Sequence, residues 1–358
     1  VLLYPVYALL FADAGLSTSQ ISVLFAIWSV VSFAFEVPSG ALADAWSRRG
    51  LYAIGELLTA AGYALWLIWP AFPGFALGFV LWGLGGALAS GTLEALVYDL
   101  AGDDYAKVMG RAGTVGILAT LAATLLATPA LALGGYPLVG VASIVVVTLG
   151  GLLALRLPDA VRTPGEGDES DTGGYGRLLR SGLRDAVKDR RTIMLVAVAA
   201  LLPGFTALDE YLPLLARDKG APTAGVPLLY ALVALAMAAG SALAGRYAAS
   251  LPLVVAASAA LLAAGALVPH LIGMVPVAAA FGLLQYAMIR AETGLQESIT
   301  GRARTTVLSV SGFGAEVFAV VLYAGFGLPA PLPLLFALAT TPLLLTAALA
   351  RRNFVRPG

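Results

Sequence analysis

Seven ionisable side chains lie inside long apolar runs of this chain: Glu36, Glu94, Asp209, Glu210, Arg290, Glu292 and Glu316. An eighth, Glu56, sits near the end of such a run. Charge in hydrocarbon is expensive, so each of these groups needs a partner, a path to water or a task. Six of the seven are acids, which suits loading of a proton or attraction of a cation. Glu316 is the most central carboxylate, about 12 residues into its run, with Ser309 and Gly312 on the same helical face. No basic residue lies at its depth. It reads as a proton-exchanging group, a holder of a cationic substrate, or a permanently protonated, hydrogen-bonded acid.

Counting about 1.5 Å per residue brings Glu36, Glu94 and Arg290 to similar depths in the inner halves of three runs. An isolated arginine there is costly, so Arg290 is expected to pair with Glu94 and Glu36. Ser90, Glu94 and Tyr98 would share one face, and Arg290, Thr293, Gly294 and Glu297 another. The set reads either as a proton- or substrate-responsive cluster or as a fixed salt bridge. Asp209 and Glu210 come near the outer end of their run and point about 100° apart on a helix. Pro203 and Gly204, just before them, can bend that helix. The two acids either face a cavity or simply meet outer water.

Other chemistries lack their parts. The chain has no cysteine and a single histidine, His270, in a short turn. It has no H-E-x-x-H element and no G-x-x-x-x-G-K-[ST] element. No catalytic residue, metal or cofactor is therefore expected.

The elements that hold these groups are twelve apolar runs: 1–12, 19–40, 51–69, 75–98, 111–133, 136–155, 192–215, 226–246, 252–268, 272–295, 305–326 and 332–350. Their lengths suit tilted helices across a hydrocarbon core about 30 Å thick, not the short alternating strands of a β-barrel. The first run is shorter than the roughly 20 residues a spanning helix needs, so residues before Val1 are expected. The chain is 59% hydrophobic and 12% charged, half the charge of an ordinary soluble domain. Of 21 Lys and Arg residues, 18 fall in or beside every second gap; the alternate gaps hold only Arg217 and Lys219. That asymmetry predicts a multi-pass protein of the bacterial inner membrane with both termini cytoplasmic. It also accounts for the basic residues without nucleic acid.

The only long polar stretch, 156–191, divides the runs six and six. Residues 163–174 read as disorder-like, and 175–191 as an amphipathic helix on the inner leaflet or a solvated linker helix. The expected organisation is an N-terminal bundle (1–155), a linker (156–191), a C-terminal bundle (192–350) and a tail (351–358). The halves resemble each other in three places. FADAGLSTSQ (11–20) aligns with ARDKGAPTAG (216–225), GALAD (40–44) with SALAG (241–245), and SGTLEAL (90–96) with TGLQESI (293–299). Paired six-helix repeats around a central site are a transporter architecture, and one chain holds both, so a monomer is expected.

GALADAWSRRG (40–50), between the second and third runs, resembles the loop signature of the major facilitator superfamily, commonly G-x-L-A-D-x-x-G-R-[RK]. Gly40, Leu42, Asp44, Arg48 and Arg49 match; Ser47 replaces the usual glycine and Ala45 a common arginine. FEVPSGALAD (35–44) and SGTLEALVYD (90–99) resemble a bacterial branch of efflux permeases. The resemblance implies an all-α fold of twelve transmembrane helices in two pseudo-symmetric bundles, working by rocker-switch alternating access. It implies that Gly40, Asp44, Arg48 and Arg49, with Asp99, form a cytoplasmic latch. It also implies that spans 3, 6, 9 and 12 are supporting helices; among the intramembrane acids these hold only Glu56. The antiporter element of the fifth span is poorly matched, and the arginine often found in the fourth is absent.

The expected activity is proton-coupled efflux of hydrophobic or cationic small molecules, with protons and the lipid bilayer as the other partners. The alternative is uptake of a small metabolite by symport, for which Arg290 speaks; a membrane sensor would need an output surface, and only 156–191 offers one. Tyr4, Tyr7, Phe11, Trp28, Phe205, Tyr211, Tyr286 and Phe313 are expected to serve either as packing or as an adaptable binding surface. Trp46, Trp66, Trp69 and Trp82 are expected at the interface or facing lipid.

Overall fold

The computed structural model describes residues 1–90, 92–158, 190–298 and 304–353, and among them every regular element is helical. The elements are α1 (Tyr7–Asp13), α2 (Thr18–Ala45), α3 (Arg48–Ile68), α4 (Phe72–Ala89), α5 (Thr92–Ala101), α6 (Tyr105–Ala154), α7 (Arg190–Gly204), α8 (Leu212–Asp218), α9 (Val226–Ala244), α10 (Leu251–Leu267), α11 (Met274–Ser298), α12 (Arg304–Phe326) and α13 (Leu332–Asn353). They fall on the twelve apolar runs. Two runs are each split into two helices, α4 with α5 and α7 with α8. Two others are merged in α6, which breaks where Gly135 adopts φ 59° and ψ −156°. Eight described stretches are long and apolar enough to cross a membrane, and Leu251–Leu267 and Val310–Phe326 are shorter apolar helices. The predicted linker helix at 175–191 lies outside the described residues except for Arg190 and Arg191, where α7 already begins.

The chain divides into two compact units, one of Val1–Ser170 with Thr223–Leu228, the other of Asp171–Pro222 with Leu229–Gly358. In the first, α2 starts at a capping box: Ser17 Oγ accepts the Gln20 N–H, and Gln20 Oε1 accepts the Ser17 N–H. α3 and α4 pack through facing glycines. A Cβ on Gly62 would lie 2.6 Å from the Gly78 carbonyl oxygen, so only small residues permit this approach. The core is aromatic: Tyr7 and Phe11 meet Trp66, Phe75, Phe79 and Trp82 at centroid separations of 4.4 to 6.0 Å. Trp66 is fully buried, and its Nε1–H donates to the Phe75 carbonyl at 3.1 Å. This overturns the interfacial expectation for Trp66. Lipid and protein core are equally apolar, so composition cannot tell them apart.

In the second unit, Leu195, Val196, Ala199, Leu295 and Val307 form a buried cluster. The Tyr286 hydroxyl closes the α9–α10 connection, donating to the Tyr247 carbonyl and accepting the Ala249 N–H, both at 2.8 Å.

The two halves repeat one local structure. A 3-10 turn (Tyr4–Val6) leads into α1, and another (Phe205–Tyr211) leads into α8; both helices have seven residues. After α1, Ala14, Gly15 and Leu16 N–H donate to Leu10, Ala12 and Phe11; after α8, Lys219, Gly220 and Ala221 donate to Leu215, Arg217 and Ala216. Gly15 has φ 92° and Gly220 φ 93°, the left-handed cap that ends a helix with a Schellman-type closure.

Candidate functional site

In the first unit, α2 continues through Ala45, so only Trp46 and Ser47 separate it from α3. Ser47 caps α3, its Oγ accepting the Gly50 N–H at 3.2 Å. The residue that departs from the loop signature is thus a helix N-cap. Arg48 Nη1 donates to the Asp99 carboxylate and, at 3.2 Å, to the Ala95 carbonyl, tying α3 to α5. Both partners are partly shielded, which makes this charge-assisted bond worth more than an exposed ion pair. Arg49 Nη1 donates to the Leu157 carbonyl at 2.9 Å, where the central polar stretch begins. The Asp44 side chain lies outside the described residues. Gly40 does not mark a close helix contact among them: a Cβ there would meet no atom within 4 Å.

The fourth run is not one helix. α4 ends at Ala89, Ser90 is extended (ψ 130°), and α5 starts afresh at Thr92. Ser90 therefore leaves the face it was expected to share with Glu94 and Tyr98. Glu94 and Tyr98 stay one turn apart on α5, both exposed, with the Tyr98 ring 5.4 Å from Tyr105. Glu36 is exposed near the end of α2, where its carbonyl accepts the Ser39 hydroxyl at 2.8 Å.

Glu36 and Glu94 belong to the first unit and Arg290 to the second. Arg290 is half-buried on α11 and forms no ion pair with a described residue of its own unit. Glu292 is exposed and accepts the Gln296 amide at 3.1 Å. Glu316 lies mid-way along the unbroken α12 and is exposed. The Ser309 side chain lies outside the described residues.

The seventh span is broken, as Pro203 and Gly204 suggest. α7 stops at Gly204, and Phe205–Tyr211 continue as a 3-10 turn carrying both acids. Asp209 is half-buried and accepts the Tyr230 hydroxyl at 3.4 Å from α9. Glu210 is only 8% exposed, and among the described residues no hydrogen bond or ion pair reaches its carboxylate. The turn packs on α12 through Phe205 against Phe318 (4.9 Å) and Tyr211 against Phe326 (4.3 Å). Tyr323, also on α12, is buried with its ring 6.3 Å from that of Tyr211.

Of the named aromatics, Tyr7, Phe11, Phe205, Tyr211 and Tyr286 are buried packing, Tyr4 and Trp28 are half-buried, and Phe313 is exposed. Sequence reasoning missed Lys219. Its ammonium is buried and donates to the Ala266 carbonyl (2.8 Å) and the Val268 carbonyl, at the C-terminus of α10. Burial pushes it below the usual lysine range, with Asp218 opposing. The available signal was its place among only two basic residues on the charge-poor side.

Comparison with known proteins gives these geometries a context. The family model described as Major Facilitator Superfamily matches residues 1–321. Multidrug resistance protein MdtH of Cronobacter sakazakii is 26% identical over 253 residues, 65% of this chain and 56% of that protein. An uncharacterised 38 kDa protein of Thermoproteus tenax is 36% identical over 99 residues, 27% of this chain and 25% of that one. The chain thus spans about half, or less, of the curated relatives it matches. Among solved structures, the nucleoside transporter NupG aligns with TM-score 0.76 at 12% identity, covering 98% of this chain and 94% of that one. A D-xylose-proton symporter aligns with TM-score 0.73 at 14% identity, covering 98% and 93%. These structural likenesses establish the fold of twelve helices.

Proposed function

Because the chain belongs to the major facilitator superfamily, a family of multi-pass membrane transporters and not of enzymes, we propose that it exports hydrophobic or cationic small molecules in exchange for protons. Alternating access moves the substrate, with 1–155 and 192–350 as the two bundles, 156–191 as their linker and 351–358 as a tail. The protein works as a monomer in the bacterial inner membrane with both termini cytoplasmic. One observation carries the reading: Glu316 is exposed at mid-span. A carboxylate at that depth faces water, solute or a polar partner in preference to lipid, which supports its face lining the path. The relationship to MdtH supports export.

Glu316, Glu94, Glu36, Asp209 and Glu210 supply acidic groups for proton coupling or cation binding, with Tyr98 beside Glu94. Gly40, Asp44, Arg48, Arg49 and Asp99 form the cytoplasmic gate; the Arg48–Asp99 and Arg49–Leu157 bonds support that role. A second reading, uptake of an anionic metabolite by symport, is favoured by Arg290, which has no described acidic partner in its own unit.

Ligand stabilisation of purified protein at about pH 6 and about pH 8 tests the choice, since a ligand that binds only the folded state raises its melting temperature. Lipophilic cations that stabilise more at the higher pH support proton-exchanging export. Stabilisation confined to anions moves the site to Arg290 and selects symport. In vesicles, Glu316→Gln is expected to abolish proton-driven transport while the protein stays folded; undiminished coupled transport rejects the assignment.

A further inference from the structure

We propose that Glu210, not its neighbour Asp209, is the residue of the seventh span that takes up and releases a proton. This rests on the proton-coupled reading above and names where, in the second unit, the proton is held. The two acids are adjacent but live differently. Asp209 is half-buried and accepts the Tyr230 hydroxyl at 3.4 Å. Glu210 is more than nine-tenths buried and receives no donor among the described residues. An ionised carboxylate on so buried a residue finds no cation among the described residues to offset its desolvation, whereas the neutral acid is tolerated. The missing partner is therefore a proton on a Glu210 carboxylate oxygen, changing the group from −1 to neutral when bound.

The local backbone gives the proton a route for exchange. Pro203 and Gly204 end α7, and both acids ride on a 3-10 turn instead of a continuous helix. A turn held by fewer and poorer hydrogen bonds can shift against α12 more readily than a full helix. The groups facing Glu210 are consistent with a single exchanged charge. Tyr230 on α9 bonds Asp209, and Tyr211 packs against Phe326 and Tyr323 of α12. Among the described residues no basic side chain pairs with Glu210. Asp209 and Tyr230 thus act as positioning residues that hold the turn.

Infrared difference spectroscopy of the purified protein, stepped from mildly acidic to mildly alkaline pH, reads protonated carboxyls directly and needs no substrate. A titrating carboxylic-acid band is expected in the wild type, in Asp209→Asn and in Glu316→Gln, and lost in Glu210→Gln. Persistence of all titrating bands in Glu210→Gln, or their absence from the wild type, overturns the proposal. Loss of the Glu210 band on adding sodium at fixed pH also overturns it, making the site one for inorganic cations, whereas loss on adding tetraphenylphosphonium supports it, because exchange requires substrate and proton to displace one another. Tyr230→Phe should move the midpoint of the band without removing it. Proton flux driven by tetraphenylphosphonium in vesicles separates the two readings. No flux in the wild type rejects proton coupling while the Glu210 band stands or falls independently; flux retained in Glu210→Gln rejects this residue while coupling stands.

Discussion

The stretch from Tyr4 to Leu16 and the stretch from Asp209 to Ala221 have one backbone and two chemistries. Each is a 3-10 turn, a seven-residue helix and a glycine cap at φ near 92°, with corresponding hydrogen bonds. The burial pattern repeats as well: Tyr4 and Asp209 are half-buried, Pro5 and Glu210 buried, Val6 and Tyr211 fully buried. In the first copy that pattern supports an aromatic core around Tyr7, Phe11 and Trp66. In the second it places Glu210 where the first has Pro5. The turn cap is also treated differently, since Ala14 corresponds to the buried Lys219. Backbone conformation is set by helix-stop signals that both copies keep; the work of each copy is set by the few side chains that differ.

The largest expected break in this comparison is in the aromatic copy. Trp66 is fully buried, touches Tyr7, Phe11, Tyr63, Phe79 and Trp82, and satisfies its indole N–H within the cluster. Trp66→Ala is expected to lose about 3–5 kcal/mol, the range for truncating a buried tryptophan. Thermal unfolding in detergent checks it. A small loss would mean that the cluster relaxes around the gap and does not define the first unit's core.

The fold and the acids were legible to different degrees. Hydropathy marks twelve runs because every spanning helix must be apolar over its length, and α6 breaks at Gly135, between the fifth and sixth runs. Pro203–Gly204 mark the broken seventh span because neither residue sustains a helix well. The match of Gly15 with Gly220 carries the repeat because only glycine adopts that cap without strain. Other features leave no one-dimensional trace. At Ser90 the following Gly91 is hidden among the many glycines of these runs, so the Ser-Gly pair does not announce the α4–α5 interruption. Trp66 reads like a lipid-facing tryptophan. The contrast between Asp209 and Glu210 depends on Tyr230, 21 residues further on in another helix, and on a 3-10 geometry that a helical wheel misplaces.

Lys219 gives a smaller effect and a pH signature. Its nitrogen satisfies two carbonyls at the end of α10, and Lys219→Met would leave them without that donor. A loss of about 1–3 kcal/mol is expected for such buried groups. Because burial lowers its pKa in the fold, the unfolded chain binds more protons in the window just below the usual lysine value. Its contribution to stability therefore rises as pH climbs through that window, when the neutral amine still donates to both carbonyls. The gap between wild type and Lys219→Met should widen accordingly in denaturation series at rising pH; a gap that narrows would show the charged form to be the stabilising one.

The smallest effect tests the identity of the two backbones themselves. Gly15 and Gly220 share their φ values, and a Cβ at either would meet no atom within 4 Å. Crowding is therefore absent at both, and the cost of alanine is only that of the left-handed conformation, about 1–2 kcal/mol. Gly15→Ala and Gly220→Ala should lower thermal stability by the same amount and leave transport intact. If Gly220→Ala costs clearly more, the second cap carries an added constraint through Lys219. The double variant Gly220→Ala with Lys219→Met would then lose less than the sum of the two singles, because neighbouring residues that share one interaction are not additive. Equal costs and additive doubles would place the difference between the copies wholly in the side chains of Asp209, Glu210 and Lys219.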